Sequence, residues 1–369
     1  MEPPADHAAP LRITVLRAGL SHLPHLVVLA GLGIAALALL GPDAERLNLD
    51  VSDVARRWLT MLPVFLALAA LAAFLWLRHA GRLGLELVRA FTSGLRREQV
   101  EILLLRVPLA LALTAGTSWL YFTFKVNIPR FGAFTWDPFF TVLDRLLLLG
   151  HDGWAITHAL LPWIWATVAL DRLYLFWYLI LFAAILFAGI LPLRHPLRLA
   201  FLLALALDWV IGGVIIAILL PAAGPVYVER ILGDPTFRPL TELLAAQSAV
   251  VPLWALDIQE WLWRGYVDPD LDPAGISAFP SLHLAVLTTV NAFAWAAGRL
   301  AGKLLVPVTA LTLVASVHLG WHYLVDGLAG IALGLAAWWA SRAIIGSWLR
   351  ASAPLDARLA AAGEPVAAE

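Results

Sequence analysis

Cysteine is absent from this chain of 369 residues. Thiol catalysis, disulfide bonds and cysteine-ligated metal are therefore excluded, although the missing cysteine does not identify the redox compartment. Charged residues are also scarce, since Asp, Glu, Lys and Arg make up 14% of the chain, against about 25% in an average soluble domain. The net charge of −1 provides no basic surface for nucleic acid, so we expect no nucleic-acid partner.

Apolar residues dominate instead, at 61% of the chain, and the mean hydropathy is +0.83. A helix needs about 20 mostly apolar residues to cross a membrane. The first apolar run has no small-residue cleavage site after it, so we interpret it as an anchor and not as a signal peptide. The sequence predicts an all-α polytopic membrane protein with about eight spans, near 24–41, 58–77, 101–121, 172–192, 197–220, 280–298, 303–319 and 321–345.

Other apolar stretches are interrupted and do not read as spans. Residues 78–100 carry five arginines among apolar residues, which is typical of a basic amphipathic helix on a membrane surface. The segment 153–170 contains His158 and Pro162, and we interpret it as interfacial or re-entrant. A further amphipathic helix is predicted at 239–264, within the longest loop.

The short connections predict the orientation in the membrane. With eight spans, all the basic connections fall on one side with both termini, and the excess of Lys and Arg makes that side cytoplasmic. These connections are 78–100, 193–198, 299–303 and the C-terminal tail. The loops 122–171 and 221–279 then face outward, together with the turn around His318 to His322.

A serine and a histidine stand at the start of the sixth span, in the segment GISAFPSLH at 275–283. Pro280 suits a first helical turn, where its missing N–H costs nothing. Free N–H groups at that helix start, with the Ser281 hydroxyl, are suited to hold a phosphate oxygen, and His283 is close to the same point. Taken alone, an ordinary helix cap with a buried, hydrogen-bonded histidine explains this segment equally well.

A second group, HLGWHYLVD at 318–326, stands at the start of the eighth span. His322 and Asp326 are four residues apart, so they share a helix face. A carboxylate bonded to one imidazole nitrogen fixes the tautomer and leaves the other nitrogen nucleophilic. A structural His–Asp pair at a helix end is the competing interpretation.

The two groups together favour catalysis. Both stand at the same membrane face, and the 34 or so residues between them form two spans that go out and back. Such a meeting brings together a nucleophile, its orienting acid and a second proton-transfer group. Ionisable residues near spans usually mark function because they are expensive to place there.

These motifs resemble the type-2 phosphatidic acid phosphatase superfamily. Pro280-Ser-Leu-His283 with His322-Tyr-x-x-Asp326 most resembles its inositol phosphorylceramide synthase (aureobasidin-resistance) branch, which acts on sphingolipids. Upstream, the segment PAAGPVY at 221–227, Asp144-Arg145 and GHDGW at 150–154 are similar to bacterial members of that branch. The motifs cover roughly 220–335, with weaker similarity back to about 135.

The resemblance implies a six-helix catalytic core to which the first two spans are an addition. The expected organisation is two N-terminal spans and the basic helix at 1–100, the core at 101–346 with outer loops 122–171 and 221–279, and a disordered tail at 347–369. It also implies a metal-independent reaction through a phosphohistidine, without a cofactor. Carried over, His322 is the nucleophile, Asp326 orients it, His283 is the general acid and then base, and Ser281 contacts phosphate.

Departures from the family pattern concern the phosphate-binding cations. Of the motif Lys-x6-Arg-Pro only Arg238-Pro239 remains, because position 231 is Ile, and the Arg six residues before the nucleophile is replaced by Ser316. Leu282 replaces the Gly of Pro-Ser-Gly-His. These losses argue against an ordinary phosphatase. The remaining candidates, each equally compatible with an interfacial role, are in order Arg230, Arg238, Arg145 and Lys125.

Two other interpretations concern ionisable residues near these motifs. His318, His322 and Asp326 form a His-x3-His-x3-Asp stripe that is compatible with metal ligation, but the resemblance requires no metal. Asp208 lies inside the fifth span, either as a functional group or as an acid paired with a neighbouring helix.

We therefore expect an enzyme in the bacterial inner membrane, with its site on the periplasmic face and membrane lipids as substrates. Transfer of a phospho-head group to a lipid hydroxyl is the leading hypothesis. The alternative is a lipid phosphate phosphatase acting on phosphatidate or a polyprenyl diphosphate, and a proton-coupled transporter is a remote third. No obligate protein partner is expected.

Overall fold

The computed structural model describes residues 11–41, 101–268 and 274–361, and every regular element in these ranges is a helix. The helices are α1 (Leu11–Ser21), α2 (Leu23–Leu40), α3 (Val107–Phe131), α4 (Asp137–Leu147), α5 (Gly153–Leu160), α6 (Ile164–Ile190), α7 (Pro196–Leu207), α8 (Pro225–Leu232), α9 (Arg238–Val250), α10 (Trp254–Val267), α11 (Leu282–Ala297), α12 (Arg299–His318) and α13 (Leu324–Ala361). A π-helical turn (Ile102–Arg106) precedes α3, and a π-helix (Asp208–Ile216) continues α7 into a last short turn (Ala217–Leu219). The predicted all-α fold is confirmed.

Six helices in the described ranges are long and apolar enough to cross a membrane, so the protein is an integral membrane protein. They are Leu23–Leu40, Leu104–Phe131, Ile164–Ile190, Pro196–Leu219, Arg299–His318 and Leu324–Ala361. The predicted span 58–77 and basic helix 78–100 lie outside the described residues. The predicted span 280–298 is the shorter helix α11, of 16 residues, because Pro280 and Ser281 stay outside it.

Prolines account for two differences from the predicted elements. The segment 153–170 is not one interfacial piece, since α5 ends before Pro162 and α6 begins its span at Ile164, eight residues earlier than expected. The predicted helix 239–264 is divided into α9 and α10 around Pro252. A proline cannot donate its N–H and forces the preceding residue out of the helical region.

The expected disordered tail is wrong as far as Ala361, because α13 continues to that residue. Its last turns are held by the N-terminal helix. Asp356 accepts a hydrogen bond from Arg17 at 2.8 Å and forms an ion pair with Arg194 at 3.4 Å. The Trp348 indole N–H donates to the backbone of α1 at 2.9 Å. Residues 362–369 lie outside the described residues.

Helix α7 occupies the centre of the bundle, where it is buried from Leu199 to Ala206. It packs against α3, α6, α11 and α13. At its start the fully buried Arg198 donates to the carbonyls of Ala188, Gly189 and Arg106, at 2.9, 2.9 and 2.7 Å. Ala188 and Gly189 lie in the last turn of α6, and Arg106 immediately precedes α3. Arg198 thus closes one end of the bundle, and the predicted site residues lie at the other.

Candidate active site

A short turn, residues 319–323, joins α12 to α13 and carries His322. The amide N–H of His322 donates to the carbonyl of Ser316 at 3.3 Å. Gly320 has a φ of 70°, and a Cβ there would lie 2.7 Å from the Leu240 side chain, so the turn requires glycine. The predicted tight turn is confirmed. His322 itself precedes α13, however, and is not on a helix face as expected.

His322 nevertheless faces Asp326. Its Nδ1 lies 3.4 Å from the Asp326 Oδ2, which is an ion-pair distance and too long for a well-formed hydrogen bond. Asp326 is fully buried, and its Oδ2 accepts the Tyr323 backbone N–H at 3.0 Å. The histidine also lines a shallow surface pocket, beside Trp154 and Tyr323. The structure thus gives His322 a buried carboxylate near its Nδ1 and places the residue in the lining of this pocket.

His283 approaches His322 from the start of α11. The centroids of the two imidazole rings are 6.0 Å apart, at an interplanar angle of 63°. Helix α6 supports His283 from its other side, because the Tyr174 ring stacks on it at 4.8 Å and the Trp177 ring meets it edge-on at 4.9 Å. Both sequence motifs therefore contribute a histidine to the same site. This agrees with the prediction that the two spans between the motifs bring them to the same membrane face.

Ser281 links the two motifs directly. Its backbone N–H donates to the carbonyl oxygen of Asp326 at 3.0 Å, so it is not free for phosphate as expected. Pro280 lies before the helix and not in its first turn, because Ser281 is the N-cap of α11. The Ser281 hydroxyl is buried and has no hydrogen-bond partner in the described ranges. Glycine allows this close approach, since a Cβ at Gly330 of α13 would overlap the Ser281 carbonyl.

The three candidate arginines are all paired with carboxylates. Arg230 pairs with Glu260 at 2.9 Å and Arg238 pairs with Glu229, both near the surface. Arg145 binds Asp152 at 2.7 Å, and Asp152 lines the same pocket as His322.

Lys125 differs from these arginines. Its ammonium lies 6.0 Å from the centre of the Phe122 ring and within electrostatic range of His283. No carboxylate in the described ranges pairs with it. The geometry therefore favours the last of the four candidates over the first two.

The model of the PAP2 superfamily matches residues 139–340, more than half of the chain. This chain belongs to the PAP2 superfamily. Its match covers α4 to α13 and includes both histidine motifs. No curated protein and no solved structure matches the chain. Membership identifies a membrane enzyme of the lipid phosphatase and phosphotransferase type.

In this PAP2 superfamily member, helix α4 anchors the turn that carries His322. The Asp144 carboxylate accepts the backbone N–H groups of Leu324 and Val325, both at 2.8 Å. One face of α4 also carries Asp137, two turns earlier, whose carboxylate accepts the Tyr323 hydroxyl at 3.0 Å. The two aspartates thus bind three consecutive residues between His322 and Asp326.

The carboxylates of Asp137 and Asp144 are buried hydrogen-bond acceptors. Burial raises the pKa of Asp144 and of Asp137, and the backbone N–H groups that each carboxylate accepts oppose that rise. Asp137 accepts two further N–H groups, from Ala223 and Gly224, at 2.8 Å each. These lie at the N-terminus of α8, where unpaired donors and the helix dipole favour a negative charge.

His318 does not share a site with His322 and Asp326. Its ring stacks on His158 at 3.6 Å, and its Nε2 is 2.9 Å from the Thr167 hydroxyl. The His158 Nε2 lies 3.0 Å from the His318 carbonyl oxygen. The three members of the predicted stripe therefore face different partners.

Asp208 is paired with a neighbouring helix, which agrees with the second of the two interpretations given for this residue. Its Oδ2 accepts the Thr289 hydroxyl of α11 at 2.7 Å, inside the bundle and away from the two histidines.

Sequence reasoning missed the supporting residues. Asp137, Asp144 and Tyr174 stand outside the histidine motifs, and only their position in the fold relates them to His283 and His322. Asp144 belongs to a segment that resembles the family, but the resemblance assigns it no role. The spacing of Asp137 and Asp144 on a short amphipathic helix was the available signal.

Proposed function

We propose that this protein moves a phospho-head group from a phospholipid to a lipid hydroxyl, through a phosphohistidine on His322. One observation carries the proposal: His322 has a buried carboxylate beside one ring nitrogen and a second histidine across from its ring. That arrangement supplies a nucleophile, an orienting group and a proton donor.

The reaction has two steps, in which the P–N bond to His322 first forms and then breaks. In the first, the Nε2 of His322 attacks phosphorus and forms a P–N bond, the bond to the leaving alcohol oxygen breaks, and protonated His283 gives that oxygen its proton. In the second, neutral His283 takes the proton of the acceptor hydroxyl, whose oxygen attacks phosphorus while the P–N bond breaks. Asp326 stabilises the charge on the His322 ring in both steps.

We propose three side chains near the histidines as the phosphate-binding groups. Lys125 is the proposed cation near His283, and the Ser281 hydroxyl is a proposed donor. Arg145 binds Asp152, which lines the His322 pocket, and is the second proposed cation. Arg230 and Arg238 are exposed and paired, so they receive no role in this proposal.

Two features favour transfer over hydrolysis. The chain lacks the arginine and lysine positions of the phosphatase pattern, which are Ser316 and Ile231 here. The resemblance to the inositol phosphorylceramide synthase branch supports a phospholipid donor and a sphingolipid-type acceptor. The alternative is a lipid phosphate phosphatase, in which water replaces the lipid hydroxyl as the acceptor.

We further propose that the site faces the periplasm of a bacterial inner membrane. Arg194, in the connection between α6 and α7, forms an ion pair with Asp356 near the end of α13. This ion pair lies at the end of the bundle opposite to His322. Basic connections favour the cytoplasmic side. Lipid substrates then reach the site laterally from the outer leaflet.

The deciding experiment follows a phospholipid that is labelled in its phosphate. Purified protein in mixed micelles is given this donor and a lipid alcohol, and the products are separated. A labelled new lipid supports transfer, whereas labelled inorganic phosphate or a free phospho-head group supports hydrolysis. Neither product from wild-type protein, with several donors, would refute both functions.

A further inference from the structure

Several buried hydrogen-bond donors around the two histidines have no partner in the described ranges. They are the hydroxyl of Tyr174, the hydroxyl of Ser281 and the indole N–H of Trp321. Buried polar groups in folded proteins are nearly always hydrogen-bonded, because leaving one unpaired costs its whole desolvation energy. Three such donors at one place point to a ligand that accepts hydrogen bonds.

Tyr174 is the centre of this group. Its ring lies between two others, stacked on His283 at 4.8 Å and on Trp321 at 5.9 Å. The side chain is 3% exposed, and its hydroxyl is within electrostatic range of Asp326. Two aromatic neighbours hold the Tyr174 ring in one orientation beside His283.

The charges near the site explain why neutral donors are needed. The three candidate arginines are occupied by Asp152, Glu260 and Glu229. Residues 231 and 316, where the family pattern has cations, are Ile and Ser. A phosphate held beside His322 therefore meets few cations, and its non-bridging oxygens require other donors.

Resting on the proposed function, we propose that Tyr174, Trp321 and Ser281 form a neutral donor set that binds the non-bridging oxygens of the substrate's phosphate. The Tyr174 and Trp321 donors replace arginines, and they strengthen their hydrogen bonds as negative charge develops on those oxygens in the transition state. The set favours a phosphate that carries one negative charge, as in a phosphodiester, over a doubly charged monoester.

The test uses Tyr174→Phe, which removes the hydroxyl and keeps the ring against His283. Tyr266→Phe is the matched control, because its ring packs on Phe134 in the outer part of the protein. Turnover is measured together with the affinity for orthovanadate, a mimic of five-coordinate phosphorus. We expect Tyr174→Phe to lose about 10²-fold in kcat and to bind vanadate at least tenfold more weakly, with an unchanged thermal midpoint. Tyr266→Phe should match wild type in all three measurements.

Two failures can be told apart. Full turnover and vanadate affinity in Tyr174→Phe, with active wild-type protein, would overturn this inference and leave the proposed function standing. Wild-type protein that neither turns over a lipid phosphate nor binds vanadate would remove both. Should Tyr174→Phe be unstable, Trp321→Phe gives a second measurement of the same set, and the same loss of vanadate affinity is expected.

Discussion

The Asp144 carboxylate binds the backbone of Leu324, accepting its N–H at 2.8 Å with one oxygen while the other accepts the next N–H. This pair joins α4 to the first turn of α13, directly between the residues proposed as nucleophile and orienting acid. A helix N-terminus has unsatisfied donors, and a buried carboxylate is a strong acceptor for them.

We expect Asp144→Ala to reduce kcat by at least about tenfold, because a displaced nucleophile loses alignment. The free energy of unfolding should fall by about 2 kcal/mol, since two buried N–H groups lose a charged acceptor. The exposed Asp257 provides the control, and Asp257→Ala should change neither value. Unaltered kcat in a folded Asp144→Ala protein would show that the turn keeps its geometry without α4.

His322→Ala should abolish turnover while the protein still inserts and folds. Removing the nucleophile removes the covalent pathway altogether. Asp326→Asn should retain more activity than His322→Ala but lose more than about tenfold, because the imidazole is disoriented and not deleted. Denaturing gels after incubation with labelled donor should show an acid-labile phosphoprotein in wild type but not in His322→Ala. Labelling of the His322→Ala protein would show that another residue is the nucleophile.

The reaction should not require a metal ion. His318 faces His158 and Thr167, so the three residues of the stripe do not converge on one ion. Treatment with EDTA followed by dialysis should leave the rate unchanged, and elemental analysis measures residual zinc and magnesium. Loss of activity that stoichiometric zinc restores would contradict this and return His318 to the site.

The sidedness of the site can be mapped because the chain has no native cysteine. Asp268→Cys, in the outer loop, should react with an impermeant maleimide in intact cells, and Arg299→Cys should react only after permeabilisation. Both positions are exposed in the structure. The reverse pattern would mean that the helices after residue 100 are inserted with the opposite orientation.

His158 should make stability depend on pH. Burial lowers the pKa of His158 below its usual value near 6.5, so the folded protein holds this ring neutral while the unfolded chain takes up the proton first. The stability present above about pH 6.5 is therefore lost as the pH falls below it. The thermal midpoint should drop more between pH 7.5 and 5.5 in wild type than in His158→Gln. Equal drops would assign the effect to other groups.

The class of this protein could be predicted from its composition, and the candidate site residues from its motifs. Long apolar runs leave only membrane-spanning helices possible, because backbone groups in lipid must be satisfied within the segment. His283, His322 and Asp326 could be singled out because they stand at predicted span boundaries and belong to motifs that resemble the family. The two motifs are separated by two spans, which return the chain to the same membrane face. This was enough to predict that the motifs meet.

Contacts between distant segments could not be predicted from the amino-acid pattern. Asp144 binds the backbone after His322, and Tyr174 contacts His283, only because α4 and α6 pack there, so their roles depend on contacts between distant segments. The pairing of Arg230 with Glu260, and of Asp356 with Arg17, overturned expectations in the same way. Local propensity can predict a helix or a turn, but which charge is neutralised, and by which partner, is settled only when the chain is folded.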